Sequence, residues 1–188
     1  MQAAEIDSAQ LAGEAQFVTL GIDREVFAVP VDLVLEILAM RPLFRVPDAP
    51  AHLAGLLDVR DQAVPVIDLR LKLGLDATPA TDNTRILVLE VPVSGRRLVL
   101  GLIADRVFEV TVLDKRTITP PPDIGTLWRS DYISGVGRRG DGFVIIFDLP
   151  RLLSGDAVAL AVAKAGNGVA LNLAGAEAGA RDADFVRY

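Results

Sequence analysis

Between Gln16 and Phe147 the apolar residues fall in short β-type runs rather than in long helical stripes. Gln16–Ile22, Glu25–Val29, Ala63–Ile67, Arg85–Val91, Arg97–Ile103 and Gly142–Phe147 are rich in Val, Ile, Leu and Phe and predict strands. Turn residues separate them: Gly21-Ile22-Asp23-Arg24, Asp61-Gln62, Pro92-Val93-Ser94-Gly95 and Gly140-Asp141-Gly142. Many short strands with turns at close spacing predict a mainly β protein, a barrel or a sandwich. One segment has a different rhythm. From Pro30 to Leu38 a proline stands near the start, and apolar pairs at 33/34 and 37/38 recur every four residues. That spacing predicts a short helix laid across a barrel end.

The flanks are of another texture. Residues 1–15 are small and polar and are expected to form a flexible leader. They carry Glu5, Asp7 and Glu14 with no basic n-region or continuous apolar run, so no signal peptide is expected. Beyond Gly155 the chain turns Ala/Gly-rich: from Asp156 to Ala180, ten residues are Ala and four are Gly. Asp156–Ala165 predicts one short helix capped by Ser154 or Asp156, within a tail spanning 156–188 that is otherwise loosely ordered.

An internal repeat organises the middle. Val29-Pro30-Val31-Asp32-Leu33-Val34-Leu35-Glu36-Ile37 aligns with Leu102-Ile103-Ala104-Asp105-Arg106-Val107-Phe108-Glu109-Val110 at a shift of 73 residues. Both Asp and both Glu coincide. Leu53-Ala54-Gly55-Leu56 falls on Ile133-Ser134-Gly135-Val136 at a shift of 80, and Val64-Pro65-Val66-Ile67-Asp68-Leu69 on Val144-Ile145-Ile146-Phe147-Asp148-Leu149 at the same shift. Two such repeats imply two similar small barrels, each marginal alone and steadied by packing against the other. The boundary between them is expected at about 74–84, where Leu75-Asp76-Ala77-Thr78-Pro79-Ala80-Thr81-Asp82 forms the longest polar, turn-rich stretch.

Composition narrows the chemistry. The 188 residues are 51% hydrophobic and 23% charged, enough for a packed core. A net charge of −6 argues against a nucleic-acid footprint. With no cysteine and one histidine, His52, disulfides, thiolate ligands and a Cys nucleophile are impossible, and a His-rich metal site is excluded. No run of apolar residues is long enough to cross a bilayer as a helix, so a soluble, cytoplasmic protein is expected. Gly135-Val136-Gly137 lacks the third glycine of a dinucleotide loop, and neither a P-loop nor a nucleophile elbow occurs. His52 with Asp58, Asp61 and Asp68 could be drawn as a carboxylate site. Asp61, however, sits at a turn tip and Asp68 at a strand end, where Asp serves backbone hydrogen bonds. Asp148 repeats Asp68 with no second His52 beside it. No enzyme, cofactor or metal is expected.

The stretch Leu53-Ala-Gly-Leu-Leu-Asp-Val-Arg-Asp-Gln-Ala-Val-Pro-Val-Ile-Asp-Leu-Arg70 resembles the signature of the CheW family, the chemotaxis coupling proteins. Phe17-Val-Thr-Leu-Gly21, Val34-Leu-Glu-Ile37, Asn83-Thr-Arg-Ile-Leu-Val-Leu89 and Tyr132-Ile-Ser-Gly-Val-Gly137 resemble it in the same order. The likeness covers about Gln16–Ser154, so residues 16–155 are read as one CheW-like domain. It implies a mainly β fold of two SH3-like β-barrel subdomains with short helices around a common apolar interface. It also implies an adaptor without catalysis, which joins the cytoplasmic tip of a methyl-accepting chemoreceptor to the histidine kinase CheA. The kinase's regulatory domain shares this fold, so CheW-like paralogues and kinase would pair end to end in arrays under the membrane, without membrane insertion.

A receptor tip is a helical hairpin and calls for an apolar groove with a few polar anchors. Val34 and Ile37 on the predicted helix, Leu56 after Gly55, and Val110 in the second repeat could line it. By the resemblance, Glu36 and Arg60 fall on partner-binding positions and would pair or offer opposite charges at the groove rim; Gly55 and Arg85 complete the expected interaction set. One departure stands out: the family's usual Asn-Leu-Arg-Gly reads Asp58-Val59-Arg60-Asp61 here. Losing that glycine matters if the turn needs φ > 0, although Asp tolerates the left-handed region. Two other readings stay open at this level. One is a coupling protein of another chemosensory pathway, for surface sensing or pilus motility; the other is a small hydrolase or ligand-binding barrel using His52 and Asp58.

Overall fold

The computed structural model describes residues 13–93, 95–121 and 130–155. Ten strands and two short helices follow one another: β1 (Glu14–Ile22), β2 (Glu25–Pro30), β3 (Val34–Ala39), β4 (Leu53–Val59), β5 (Gln62–Asp68), α1 (Leu69–Lys72), β6 (Arg85–Val93), β7 (Arg96–Ala104), β8 (Arg106–Asp114), β9 (Ile133–Arg139), β10 (Gly142–Phe147) and α2 (Leu149–Ser154). They form two five-stranded sheets, a first of order β8-β1-β2-β10-β9 and a second of order β3-β6-β7-β5-β4. All neighbours are antiparallel except β2–β10 and β5–β7.

Advancing every strand of the first repeat by five turns one sheet order into the other. The repeat is therefore real in space, but its units are interleaved. Each sheet takes the opening hairpin of one repeat and the three later strands of the other. The expected boundary at 74–84 is accordingly corrected. That segment joins β5 to β6 within the second sheet, and the chain changes sheets instead at the 3-10 turn Val31–Leu33 and at Asp105. A polar linker signals only a surface connection; which strands pair is decided by non-local burial.

The segment expected to be helical is also corrected. After Pro30 a single 3-10 turn leads into β3, which pairs antiparallel with β6 from Val34↔Leu89 to Ala39↔Arg85. Nine residues are too few to nucleate a helix without strong propensity, and Val31, Val34 and Ile37 are β-branched. A full ladder to β6 wins. At the N-terminus, Glu14 and Ala15 belong to β1, paired with Asp114 and Leu113, so these two are strand rather than leader. At the other end, Ser154 is the last residue of α2, whose N-cap is Asp148. The helix expected over 156–165 lies outside the described residues. Strands β4, β8 and β9 carry no prediction: β4 and β9 are interrupted by Gly55, Gly135 and Gly137, and β8 by the charges of Arg106 and Glu109.

Three apolar clusters hold the sheets. Phe17, Ala28, Leu113, Val144 and Ile146 fill the inside of the first sheet. Leu57, Val64, Val66, Ile86 and Val88 fill the inside of the second. The opposite faces of the same strands meet in a shared core, in which Leu20, Val29, Ile67, Leu87, Leu89, Leu102 and Phe147 are all at most 2% exposed. Strand β6 shows the division, with Ile86 and Val88 facing inward and Leu87, Leu89 and Val91 facing the other sheet. Strands buried on both faces read as continuous apolar runs. Phe27 and Phe147 stack across the β2–β10 pair with ring centroids 4.7 Å apart.

Candidate functional site

Two glycines shape the edges of the sheets. Gly55 is buried in β4 with φ +149°, and a Cβ there would stand 2.5 Å from the Phe44 carbonyl oxygen. That absence lets the chain at Phe44 add a bridge to β4: the Phe44 N–H donates to the Leu56 carbonyl at 2.9 Å, and the Leu56 N–H to the Phe44 carbonyl at 2.8 Å. Gly135 does the same on β9, where Thr119 and Val136 exchange N–H···O bonds of 2.9 and 2.8 Å. Edges β4 and β9 each carry such a bridge, so among the described residues β3 and β8 are the open edges.

Both open edges carry apolar rows turned outward. On β3, Leu35 is 55% and Ile37 42% exposed. On β8, Phe108, Val110 and Val112 are exposed in the same alternation. The shift of 73 residues maps Leu35 on Phe108 and Ile37 on Val110. Between the first two exposed residues of each row sits a glutamate with an arginine partner. Glu36 Oε1 lies 3.8 Å from Nη2 of Arg60, at the tip of the β4–β5 hairpin. Glu109 Oε1 accepts from Arg139 Nη2 at 2.6 Å and Nε at 3.1 Å, at the end of β9. Each pair reaches from one edge strand of a sheet to the hairpin at its opposite edge. The carbonyl of Glu109 is fixed in addition by the fully buried Thr19 hydroxyl, at 2.9 Å.

Aromatic–cation contacts flank the second row. The Arg106 and Arg139 guanidinium groups lie 5.5 and 5.6 Å from the Phe108 ring centroid. Arg138 stands 5.6 Å over Phe143, which is 65% exposed. The Arg60-Asp61 turn itself sits in the left-handed region at both residues, φ 53° and 62°. This is the backbone a two-residue primed hairpin turn demands. The departure at Asp61 therefore falls where a glycine would be unstrained.

The sequence-predicted set is brought together only in part. Val34, Glu36 and Ile37 share β3, with Val34 packed on the shared core, and Glu36 reaches Arg60. Gly55 is occupied with backbone packing and Leu56 with the bridge to Phe44. Arg85 turns back on its own loop, donating from Nη1 to the Asp82 and Thr84 carbonyls at 2.7 and 2.9 Å. Val110 stands on the other sheet, at its own open edge. Arg139, Phe108 and Leu35 escaped sequence reasoning. The repeat could have found Leu35 and Phe108, since Leu35-Glu36-Ile37 and Phe108-Glu109-Val110 alternate as strands do, but not Arg139, which aligns with Val59 rather than with Arg60.

The His52–Asp68 constellation resolves into backbone chemistry. The Asp68 N–H donates to the His52 carbonyl at 2.8 Å, and its carboxylate caps α1 by accepting from the Leu71 N–H. The pseudo-equivalent Asp148 does likewise toward the Tyr132 carbonyl and the Arg151 N–H. Among the described residues no group of three or more His, Asp or Glu is gathered as a metal would need.

Two interleaved β barrels whose pseudo-symmetric edges carry outward apolar rows beside Glu–Arg pairs have the make-up of a docking module, the adaptor or scaffold class. Comparison with known proteins gives the family. The family model described as the CheW-like domain matches residues 16–157. The chain is similar to the chemotaxis protein CheW of Klebsiella aerogenes, 30% identical over 154 residues, covering 80% of this chain and 90% of that one. It is likewise similar to the chemotaxis protein CheW of Helicobacter pylori, 32% identical over 142 residues, covering 75% and 82%. Among solved structures it is similar to the scaffolding protein TtCheW of Thermoanaerobacter tengcongensis, with a TM-score of 0.66 and 27% identity over 74% of this chain and 92% of that chain. The chain belongs to the CheW-like family, a family of non-catalytic chemotaxis adaptors.

Proposed function

We propose that this chain couples methyl-accepting chemoreceptors to the histidine kinase CheA by protein–protein contact alone, with no catalysis of its own. The observation that carries this reading is the pair of open edges, β3 and β8. Each has an outward apolar row beside a Glu–Arg pair, on a domain of the CheW-like family. Apolar rows rimmed by charge mark docking surfaces, because exposed Leu, Ile, Phe and Val gain by leaving water while the charges set register.

In this reading Val34, Glu36, Ile37, Leu56 and Arg60 serve one partner edge, and Val110 with Phe108 the other. Gly55 shapes the first edge and Arg85 braces the start of β6 behind it. Bound to receptors, the chain would be held in arrays at the cytoplasmic membrane face. No helix among the described residues is long and apolar enough to cross a membrane.

The test is co-sedimentation of the full chain with receptor-bearing vesicles and with the regulatory domain of CheA from the same organism. A ternary complex is expected, with kinase retention lost when the chain is left out. Failure to bind either partner would overturn the proposal.

A further inference from the structure

One cluster of charge lies at the junction of the two sheets. Arg70, in α1, has a side chain only 14% exposed and reaches three groups. Its Nη1 donates to Asp105 Oδ2 at 2.7 Å, its Nε to the Asp76 carbonyl at 2.8 Å, and its Nη2 lies 3.4 Å from Asp23 Oδ1. Asp105 Oδ2 also accepts from the Asp23 N–H at 2.7 Å, and the Asp105 N–H donates to the Gly21 carbonyl at 3.1 Å. The placement is specific. Arg70 follows the second sheet's β5, Asp23 lies in the β1–β2 turn of the first sheet, and Asp105 is the single residue where the chain crosses between them. Each directly follows a member of the shared core, namely Leu69, Ile22 and Ala104. Burial works against the Arg70 charge, yet hydrogen bonding and attraction to Asp105, then to Asp23, hold its pKa above the ordinary value. A guanidinium with planar, forked donors suits such a two-carboxylate grip.

Among the described residues, the matching positions at the pseudo-equivalent end do not repeat this grip. The shift of 80 that aligns Asp68 with Asp148 places Pro150 where Arg70 stands, and a proline side chain cannot donate. The shift of 73 places Asp32 where Asp105 stands, and Asp32 is exposed.

We propose that Arg70 is a one-sided latch: it pins the two sheets together where β7 passes into β8, while the opposite crossing, at Val31–Leu33, has no arginine at the matching position. Because Asp105 immediately precedes β8, the latch also sets the position of the Phe108–Val110–Val112 row relative to the second sheet. This last consequence rests on the adaptor reading; the latch itself does not.

Backbone hydrogen exchange of the full chain tests it, with the Arg70→Gln variant against wild type. The Asp23 and Asp105 amides are expected to exchange at least tenfold faster in the variant, while those of Leu87 and Leu89 in β6 keep their protection. Unchanged exchange at Asp23 and Asp105 would overturn the latch, and so would equal acceleration of all amides, which signals general destabilisation. If Arg70→Gln fails to fold, Asp23→Asn, which removes only the longer arm, must still speed Asp23 selectively. Asp32→Ala must leave exchange at its own crossing within twofold of wild type. For docking, Arg70→Gln is expected to bind the CheA regulatory domain three- to tenfold more weakly. Wild type failing to bind that domain defeats the adaptor reading alone, whereas wild-type affinity in the variant defeats the coupling of latch to β8.

Discussion

Glu36 and Glu109 occupy equivalent positions of the two repeats, and each faces an arginine from the opposite edge of its own sheet. The two pairs differ in tightness. Glu36 meets Arg60 at 3.8 Å, whereas Glu109 is gripped twice by Arg139, at 2.6 and 3.1 Å. The looser pair ends in a side chain that is 84% exposed, which leaves the arginine available to something else.

Arg60→Ala is therefore expected to weaken binding to kinase and receptor by about 1–3 kcal/mol, the range for losing a charged hydrogen bond at an interface. Its melting temperature should stay close to wild type, since an exposed pair contributes under about 1 kcal/mol. Titration calorimetry beside a thermal melt checks both. Unaltered binding removes Arg60 from the docking edge.

Arg139→Ala should behave differently. It deletes a two-bond ion pair and a cation–aromatic contact with Phe108 together, so a loss of about 0.5–1.5 kcal/mol of stability is expected. Chemical denaturation of both arginine variants gives the comparison. Equal stability of the two would show that the tighter geometry has no energetic consequence.

Gly55→Ala is expected to be among the most damaging small changes. The new Cβ would sit 2.5 Å from the rigid Phe44 carbonyl, on a backbone of φ +149°. Strain and displacement of the Phe44 bridge together should cost about 3 kcal/mol. Urea unfolding measures it; a loss below about 1 kcal/mol would mean the Phe44 segment moves aside freely.

Asp61→Gly should stabilise the chain. Asp61 holds φ 62° in the β4–β5 turn, which glycine adopts without steric cost. A gain of about 0.5–1 kcal/mol is expected. A lower midpoint in the same unfolding assay would show that the Asp61 side chain makes a compensating contact.

Asp114 offers a pH-dependent marker. Hydrogen bonds from the Arg116 side chain and backbone N–H hold its carboxyl below the ordinary range. A folded-state pKa lower than the unfolded one contributes stability that is present above about pH 4 and is lost as pH falls through the folded value. Carboxyl NMR titration should find Asp114 low in wild type and returned toward normal in Arg116→Ala. No change on losing Arg116 would assign the shift elsewhere.

By itself the sequence determined the strand segments whose apolar runs are buried on both faces, among them Glu25–Val29, Arg85–Val91 and Gly142–Phe147, which the structure extends by one residue, two residues and none. Those positions have few alternatives, because a continuous Val/Ile/Leu run bounded by Gly, Asp and Pro can be satisfied only in a doubly covered sheet. The repeat and the family likeness were equally legible, and the likeness singled out Glu36 and Arg60, as a pair or as opposite charges at a rim; the 3.8 Å approach is read from the structure. Tertiary structure alone decided which sheet each strand joined. Val34-Leu-Glu-Ile37 has a helical spacing of apolar pairs, yet lies along β6, since a ladder to a distant strand outweighs a weak local preference. The latch of Arg70 on Asp23 and Asp105 was beyond sequence for the same reason. Its residues lie 47 and 35 positions away along the chain, and only the exchange of hairpins between the two sheets brings their charges within a hydrogen bond of one another.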